Sequence, residues 1–168
     1  MAVEKSPVEW AITPLKKYAQ FSGRAPRAEY WWFYLGYVVL AIILNVLTGV
    51  SEIFGLLGIA YLALIIPAIA VGVRRLHDID RTGWWLLAPI LPYAVGFAMM
   101  VPAMMSGAAD PTNPFNMTGL GLASIFLLLG LAMAIMVFIF SLLPGTKGPN
   151  RYGPDPYGEH ENLEQVFS

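Results

Sequence analysis

Charged positions along this chain are spaced so that four long apolar intervals lie between them. No Asp, Glu, Lys or Arg stands between Glu29 and Glu52, between Glu52 and Arg74, between Arg81 and Asp110, or between Asp110 and Lys147. A hydrocarbon layer of ~30 Å takes ~20 helical residues to cross, and each interval is long enough for one crossing. The pattern predicts spans over 30–47, 53–73, 84–105 and 119–143. All are helical, because lipid offers no partner to an unpaired backbone N–H or C=O. Ahead of them, Ser6, Pro7 and Glu9 form a helix-start pattern. Val8, Ile12 and Leu15 then share one face, with Lys16 and Lys17 beside it. This predicts a short amphipathic helix over 7–21, either lying in the membrane interface or packed as a polar cap on the bundle. The expected fold class is an all-α integral membrane protein: a single domain over 1–168, built as a four-helix transmembrane bundle with an N-terminal amphipathic interfacial helix and a tail over 144–168.

The connections are short. Thr48 to Glu52 makes a tight hairpin, Arg74 to Gly83 a charged loop, and Ser106 to Thr118 a polar loop with Pro111 and Pro114. Pro67, Pro89, Pro92 and Pro102 fall inside apolar segments, where each removes a helix hydrogen bond and favours a kink. Ala68 with Gly72, and Gly130 with Ala134, are small pairs four apart that allow close helix contact.

Composition agrees with the pattern. Of 168 residues 57% are hydrophobic and 12% charged, and the mean hydropathy is +0.61. Soluble domains carry about 25% charge, so the low charge argues against an ordinary soluble domain, and disordered chains need low hydrophobicity and high net charge, so that class is ruled out. A net charge of −1 argues against general nucleic-acid binding. With no cysteine, disulfides, thiolate metal sites and cysteine nucleophiles are excluded. The ten cations are Lys5, Lys16, Lys17, Arg24 and Arg27, then Arg74, Arg75 and Arg81, then Lys147 and Arg151. Four spans put all of them on one side, which the positive-inside rule makes the cytoplasm, with both termini there. Trp10, Trp31, Trp32, Trp84 and Trp85 fall near the same boundary, at the headgroup level that indole favours. A three-span arrangement would make the third segment re-entrant and strand Lys147 and Arg151 outside.

Three polar blocks border that face: Phe21 to Trp31 (FSGRAPRAEYW), Arg74 to Trp85 (RRLHDIDRTGWW) and Pro144 to Pro156 (PGTKGPNRYGPDP). In order and spacing they resemble a bacterial family of small inner-membrane proteins, domain of unknown function 805. The likeness spans roughly residues 10 to 156. It is carried by Phe21, Gly23, Arg24, Arg27, Glu29, Tyr30 and Trp31; by Arg74, Arg75, Leu76, His77, Asp78, Arg81, Thr82, Gly83, Trp84 and Trp85; and by Gly145, Gly148, Asn150, Tyr152, Gly153 and Pro156. The resemblance implies a bacterial plasma-membrane protein and no particular reaction.

The candidate site residues are therefore Arg24, Arg27, Glu29, Arg74, Arg75, His77, Asp78, Asp80, Arg81, Lys147, Asn150 and Arg151. Their cations suit anionic lipid headgroups, at ~1 kcal/mol each. The acids suit an ion-pair network in which Glu29 or Asp78 bridges Arg24, Arg27, Arg74 or Arg75, because Arg pairs bidentately with carboxylates. His77, Asp78 and Asp80 are types that hold divalent ions, but neighbours in sequence need not face one point, and no metal or cofactor is expected. The glycines and prolines of the third block are turn chemistry without the spacing of a nucleotide loop. The expected function is a non-enzymatic scaffold whose basic cytoplasmic rim binds anionic lipid or a protein partner, with homo-oligomers allowed and no nucleic acid. The alternatives are an oligomeric transporter or pore for a small solute, and an inner-leaflet enzyme acting on a lipid phosphate through Arg74, Arg75, His77, Asp78, Asp80 and Arg81.

Overall fold

A computed structural model describes residues 5–50, 56–106 and 117–157. Residues 53–55 of the second expected span, Glu52, positions 107–116 of the third connection and the tail beyond 157 lie outside the described residues. The helices are α1 (Pro7–Lys16), α2 (Arg27–Val50), α3 (Leu56–Leu62), α4 (Ile65–Asp78), α5 (Ile90–Ser106) and α6 (Met117–Leu142), with a short 3-10 helix, Gly83–Leu87, ahead of α5.

Helix α1 opens on a reciprocal cap. The Ser6 hydroxyl accepts the Glu9 N–H at 3.2 Å, and the Glu9 carboxylate accepts the Ser6 N–H at 2.7 Å. These bonds to Ser6 hold the Glu9 carboxyl below the usual range. The helix runs through Pro14 and ends at Lys16, five residues short of the expected 21. It packs on α2 through buried Thr13 and Pro14.

Among the described residues, three segments are long and apolar enough to cross a membrane: Arg27–Val50, Gly83–Ser106 and Met117–Leu142. Large apolar side chains of α6 such as Ile125, Leu128 and Phe138 are more than half exposed, the inside-out arrangement that suits lipid rather than water. The segment expected as the second span takes another form. It is two shorter helices, α3 and α4, interrupted at 63–64. The cause is Pro67. In an unbroken helix residue 67 would donate its N–H to the carbonyl of Ala63, but proline has none and its ring crowds that oxygen. The helix stops there and restarts so that Pro67 sits in the first turn of α4, where the missing donor is not needed. The Ala63 carbonyl is satisfied instead by the Tyr18 hydroxyl, which donates to it at 2.6 Å.

The chain packs as two units, Met1–Gly83 with Ser141–Ser168, and Trp84–Phe140. In the first, α2 meets α4 through Phe33, Ala68 and Val71, with Ala25 beside them and Tyr30 and Tyr34 at the margin. In the second, α5 and α6 approach closely where side chains are smallest: a Cβ on Gly96 would fall 2.8 Å from Leu127, and one on Gly130 2.9 Å from the ring of Tyr93.

Candidate functional site

The end of α4, the start of α2 with its preceding turn, and the residues following α6 meet in the first unit. Five charged side chains are buried there: Arg24, Glu29, Arg74, Arg75 and Asp78. Glu29, in the first turn of α2, pairs with Arg74 of α4 and lies 3.7 Å from the ammonium of Lys17. Asp78, the last residue of α4, accepts from Arg24 Nε at 2.9 Å on one oxygen and from Arg75 Nη1 at 2.5 Å on the other. Burial pushes the Asp78 carboxyl above its usual range, and Arg24 and Arg75 pull it back. Burial likewise lowers Arg75, against the opposing pull of Asp78.

Arg24, Arg75 and Arg27 also donate to backbone carbonyls at the end of α6 and in the third block. Arg24 donates to Gly148 O at 2.6 Å and Thr146 O at 2.5 Å. Arg75 donates to Ser141 O at 3.1 Å and to Leu143 O, and Arg27 to Leu142 O at 3.3 Å. Guanidinium groups thus cap the carbonyl end of α6, where the helix dipole favours positive charge. The third block caps α4 in return: Thr146 N donates to Asp78 O at 2.8 Å and Asn150 Nδ2 to His77 O at 2.9 Å. Gly145 passes so close to Asp78 that any Cβ there would collide with the carboxylate, which is the physical reason for glycine at this position. Three buried cations face two buried anions. Among the described residues, Arg74 Nε and Nη2 have no hydrogen-bond partner.

His77 turns away from Asp78. Its Nδ1 lies 3.1 Å from Gly23 O, and its ring stacks on Tyr152 with centroids 3.8 Å apart and planes 3° from parallel. Burial holds the imidazole below its usual range, Gly23 raises it slightly and the Arg151 charge adds to the lowering. Asp80 sits in the left-handed region at φ 57° and pairs with Arg151 at 3.0 Å on the surface. His77, Asp78 and Asp80 therefore diverge, and among the described residues no three His, Asp or Glu side chains converge on a point. Arg27, Arg81, Lys147 and Arg151 are exposed. Thr146, Tyr152 and Lys17 belong to this cluster but were not among the twelve candidates. Tyr152 and Thr146 both lie within the third block, but only Tyr152 is among the residues that carry the family resemblance, and nothing in the spacing marked Thr146.

Apolar helices with lipid-suited surfaces, bound at one end by buried ion pairs, define an integral membrane protein. This chain belongs to the family described as Protein of unknown function (DUF805), which matches residues 18–154 and so takes in the first two blocks whole and the third to Pro154. It is 32% identical over 154 residues to Inner membrane protein YhaI of Escherichia coli strain K12, across 89% of this chain and 96% of that one. It is 29% identical over 161 residues to Inner membrane protein YhaH of the same strain, across 89% and 97%. No solved structure matches it. The protein is an integral inner-membrane protein.

Proposed function

We propose that this protein is a non-enzymatic scaffold of the inner membrane that crosses the bilayer four times, keeps both termini in the cytoplasm and holds anionic headgroups on its exposed cytoplasmic cations. The observation that carries this reading is the meeting of the ends of α2, α4 and α6 in one cluster of buried ion pairs. A chain that leaves the cluster at Arg27 and returns to it at Asp78 makes an even number of crossings. Residues 53–73 are long enough for the return at ~1.5 Å per residue, whether or not the helix is interrupted. The same count applies to the excursion that leaves at Gly83 and ends at Ser141.

Helix α1 fits the interface. Val8, Ile12 and Leu15 are exposed on the side away from buried Thr13 and Pro14, an apolar stripe that headgroup-level lipid would cover. Arg24, Arg74 and Arg75 are buried in internal ion pairs, so lipid contact falls to exposed cations such as Lys16, Arg27 and Lys147, at ~1 kcal/mol each. The geometry favours a structural role for Asp78, whose two oxygens are both taken by arginines, over an acid–base couple with His77.

The test is retention of phosphatidylglycerol, counted by native mass spectrometry on the full chain released from nanodiscs. A Lys16→Gln, Lys147→Gln variant retains fewer molecules than the parent at unchanged thermal stability. Equal retention by the two, or indifference of the parent to anionic lipid, overturns the headgroup reading.

A further inference from the structure

A cavity of about 330 Å³ opens beside the ion-pair cluster, between α1, the turn ahead of α2 and the 154–156 turn of the tail. Its floor holds Arg24 and Glu29, and its walls carry Lys5, Trp10, Lys17 and Gln20. Most of these groups are committed. Arg24 is bonded to Asp78 and to two carbonyls, and Glu29 to Arg74. The one acid of the tail wall, Asp155, is turned to its own turn, accepting Gly148 N at 2.9 Å and Tyr157 N at 3.0 Å. The two lysines remain. Lys5 lies over the Trp10 ring at 4.7 Å. Lys17 approaches Glu29 only at 3.7 Å, beyond ordinary hydrogen-bond length. Each ammonium carries three donors, so the cavity offers unspent cationic donors above a floor whose acids are neutralised. That is the chemistry of a phosphate group.

A second cavity, of about 400 Å³, shares Lys5 and Trp10 and extends to Trp32, an exposed side chain of the apolar helix α2. Indole rings favour the headgroup level, so this neighbour leads from the phosphate-sized space toward lipid. We propose that the first cavity binds a phosphate ester through Lys5 and Lys17, and that its source is a phospholipid of the inner leaflet whose glycerol region lies along Trp10 and Trp32. The proposal rests on the orientation given under Proposed function, and it assigns headgroup recognition to a built cavity rather than to the exposed cations alone.

The experiment uses the full chain in micelles, with short-chain phosphatidylglycerol, glycerol 1-phosphate and inorganic phosphate as separate probes, read by native mass spectrometry. Losing charge-assisted bonds to both lysines lowers phosphatidylglycerol affinity at least about tenfold in Lys5→Gln, Lys17→Gln. Lys5→Gln alone, a change at an exposed side chain, lowers it several-fold at an unchanged melting temperature, and Lys5→Arg restores it. Equal binding by the parent, the single and the double variant overturns the site. Lys5-dependent binding of glycerol 1-phosphate or inorganic phosphate as tight as that of the lipid keeps the phosphate site and overturns the lipid source. A loss confined to the Lys16, Lys147 variant removes the cavity and leaves the surface reading. A loss confined to the Lys5 variants does the reverse.

Discussion

Stripping a carboxylate of water costs several kcal/mol, and Asp78 bears that cost at the carbonyl end of a helix, where the dipole also opposes a negative charge. Two arginines offset it: Arg24 from the turn before α2 and Arg75 from the preceding turn of α4. A buried pair of this kind need not add net stability, but removing one member leaves the other uncompensated, at about 3–5 kcal/mol. Arg24→Gln and Asp78→Asn should each destabilise by that order. Combined they should cost well under the sum, because the second change relieves what the first exposed. Unfolding in mixed micelles measures the cycle, and simple additivity would show that the two do not act as a unit. His77 gives a second prediction. Its folded-state pKa is lowered by burial, so the docked ring is neutral and Nδ1–H donates to Gly23 O. Docking is then at full strength above about pH 6.5, the ordinary imidazole value. It weakens as the pH falls below that value toward the lowered folded-state pKa, where the cost of a buried imidazolium close to Arg151 comes due. Hydrogen-exchange protection over 144–152, corrected for the intrinsic rate at each pH, should be lower at pH 5 than at pH 7.5, and His77→Gln should remove most of the difference. Equal protection at both pH values in the parent would refute it.

The three long apolar helices were legible because a charge-free interval is a one-dimensional property, readable without knowing any contact. The break in the second interval is not of that kind. Pro67 was visible as a kink, but where the helix stops depends on the carbonyl four residues earlier and on the group that can reach it, and Tyr18 lies 45 residues away in sequence. The site divides the same way. Residue types named Glu29, Asp78 and the arginines, since an acid amid apolar helices needs a cation. Which arginine serves which acid follows from helix packing, and Thr146 takes part through its backbone N–H and C=O, which carry no mark in the sequence, and through a hydroxyl that donates to Asp78 O at 3.1 Å. The coupling of Tyr18 to Pro67 makes the break testable. Tyr18→Phe leaves the Ala63 carbonyl without its donor and should cost about 1–3 kcal/mol. In a Pro67→Ala background residue 67 regains an N–H for the same oxygen, so the added cost of Tyr18→Phe should fall toward zero. A cost independent of residue 67 would mean that the hydroxyl acts elsewhere.

Whole-molecule topology depends on parity. Arg75 holds Ser141 O and Leu143 O, Arg24 holds Thr146 O and Gly148 O, and both bind Asp78. The turn before α2, the loop after α4 and the residues after α6 are thus within side-chain reach of one carboxylate, which is why the proposed topology puts them in one compartment. A three-crossing arrangement would carry 144–151 to the opposite face. It would break the bonds from Arg24 to Thr146 O and Gly148 O and from Thr146 N to Asp78 O, leaving buried charged donors without their partners at a cost of several kcal/mol. On the four-crossing topology proposed above, all ten cations would fall on one face, which the positive-inside rule would make the cytoplasm, since translocating Lys and Arg is what the membrane resists. The chain has no cysteine, so single cysteines report without background. Ser22→Cys, Thr82→Cys and Lys147→Cys should all resist a membrane-impermeant maleimide applied outside the inner membrane and react once the membrane is opened. Thr48→Cys and Thr118→Cys, at the far ends of α2 and α6, should react before it is opened. Labelling of Lys147→Cys from outside while Ser22→Cys stays protected would break the parity, and with it the cytoplasmic cluster on which headgroup binding depends.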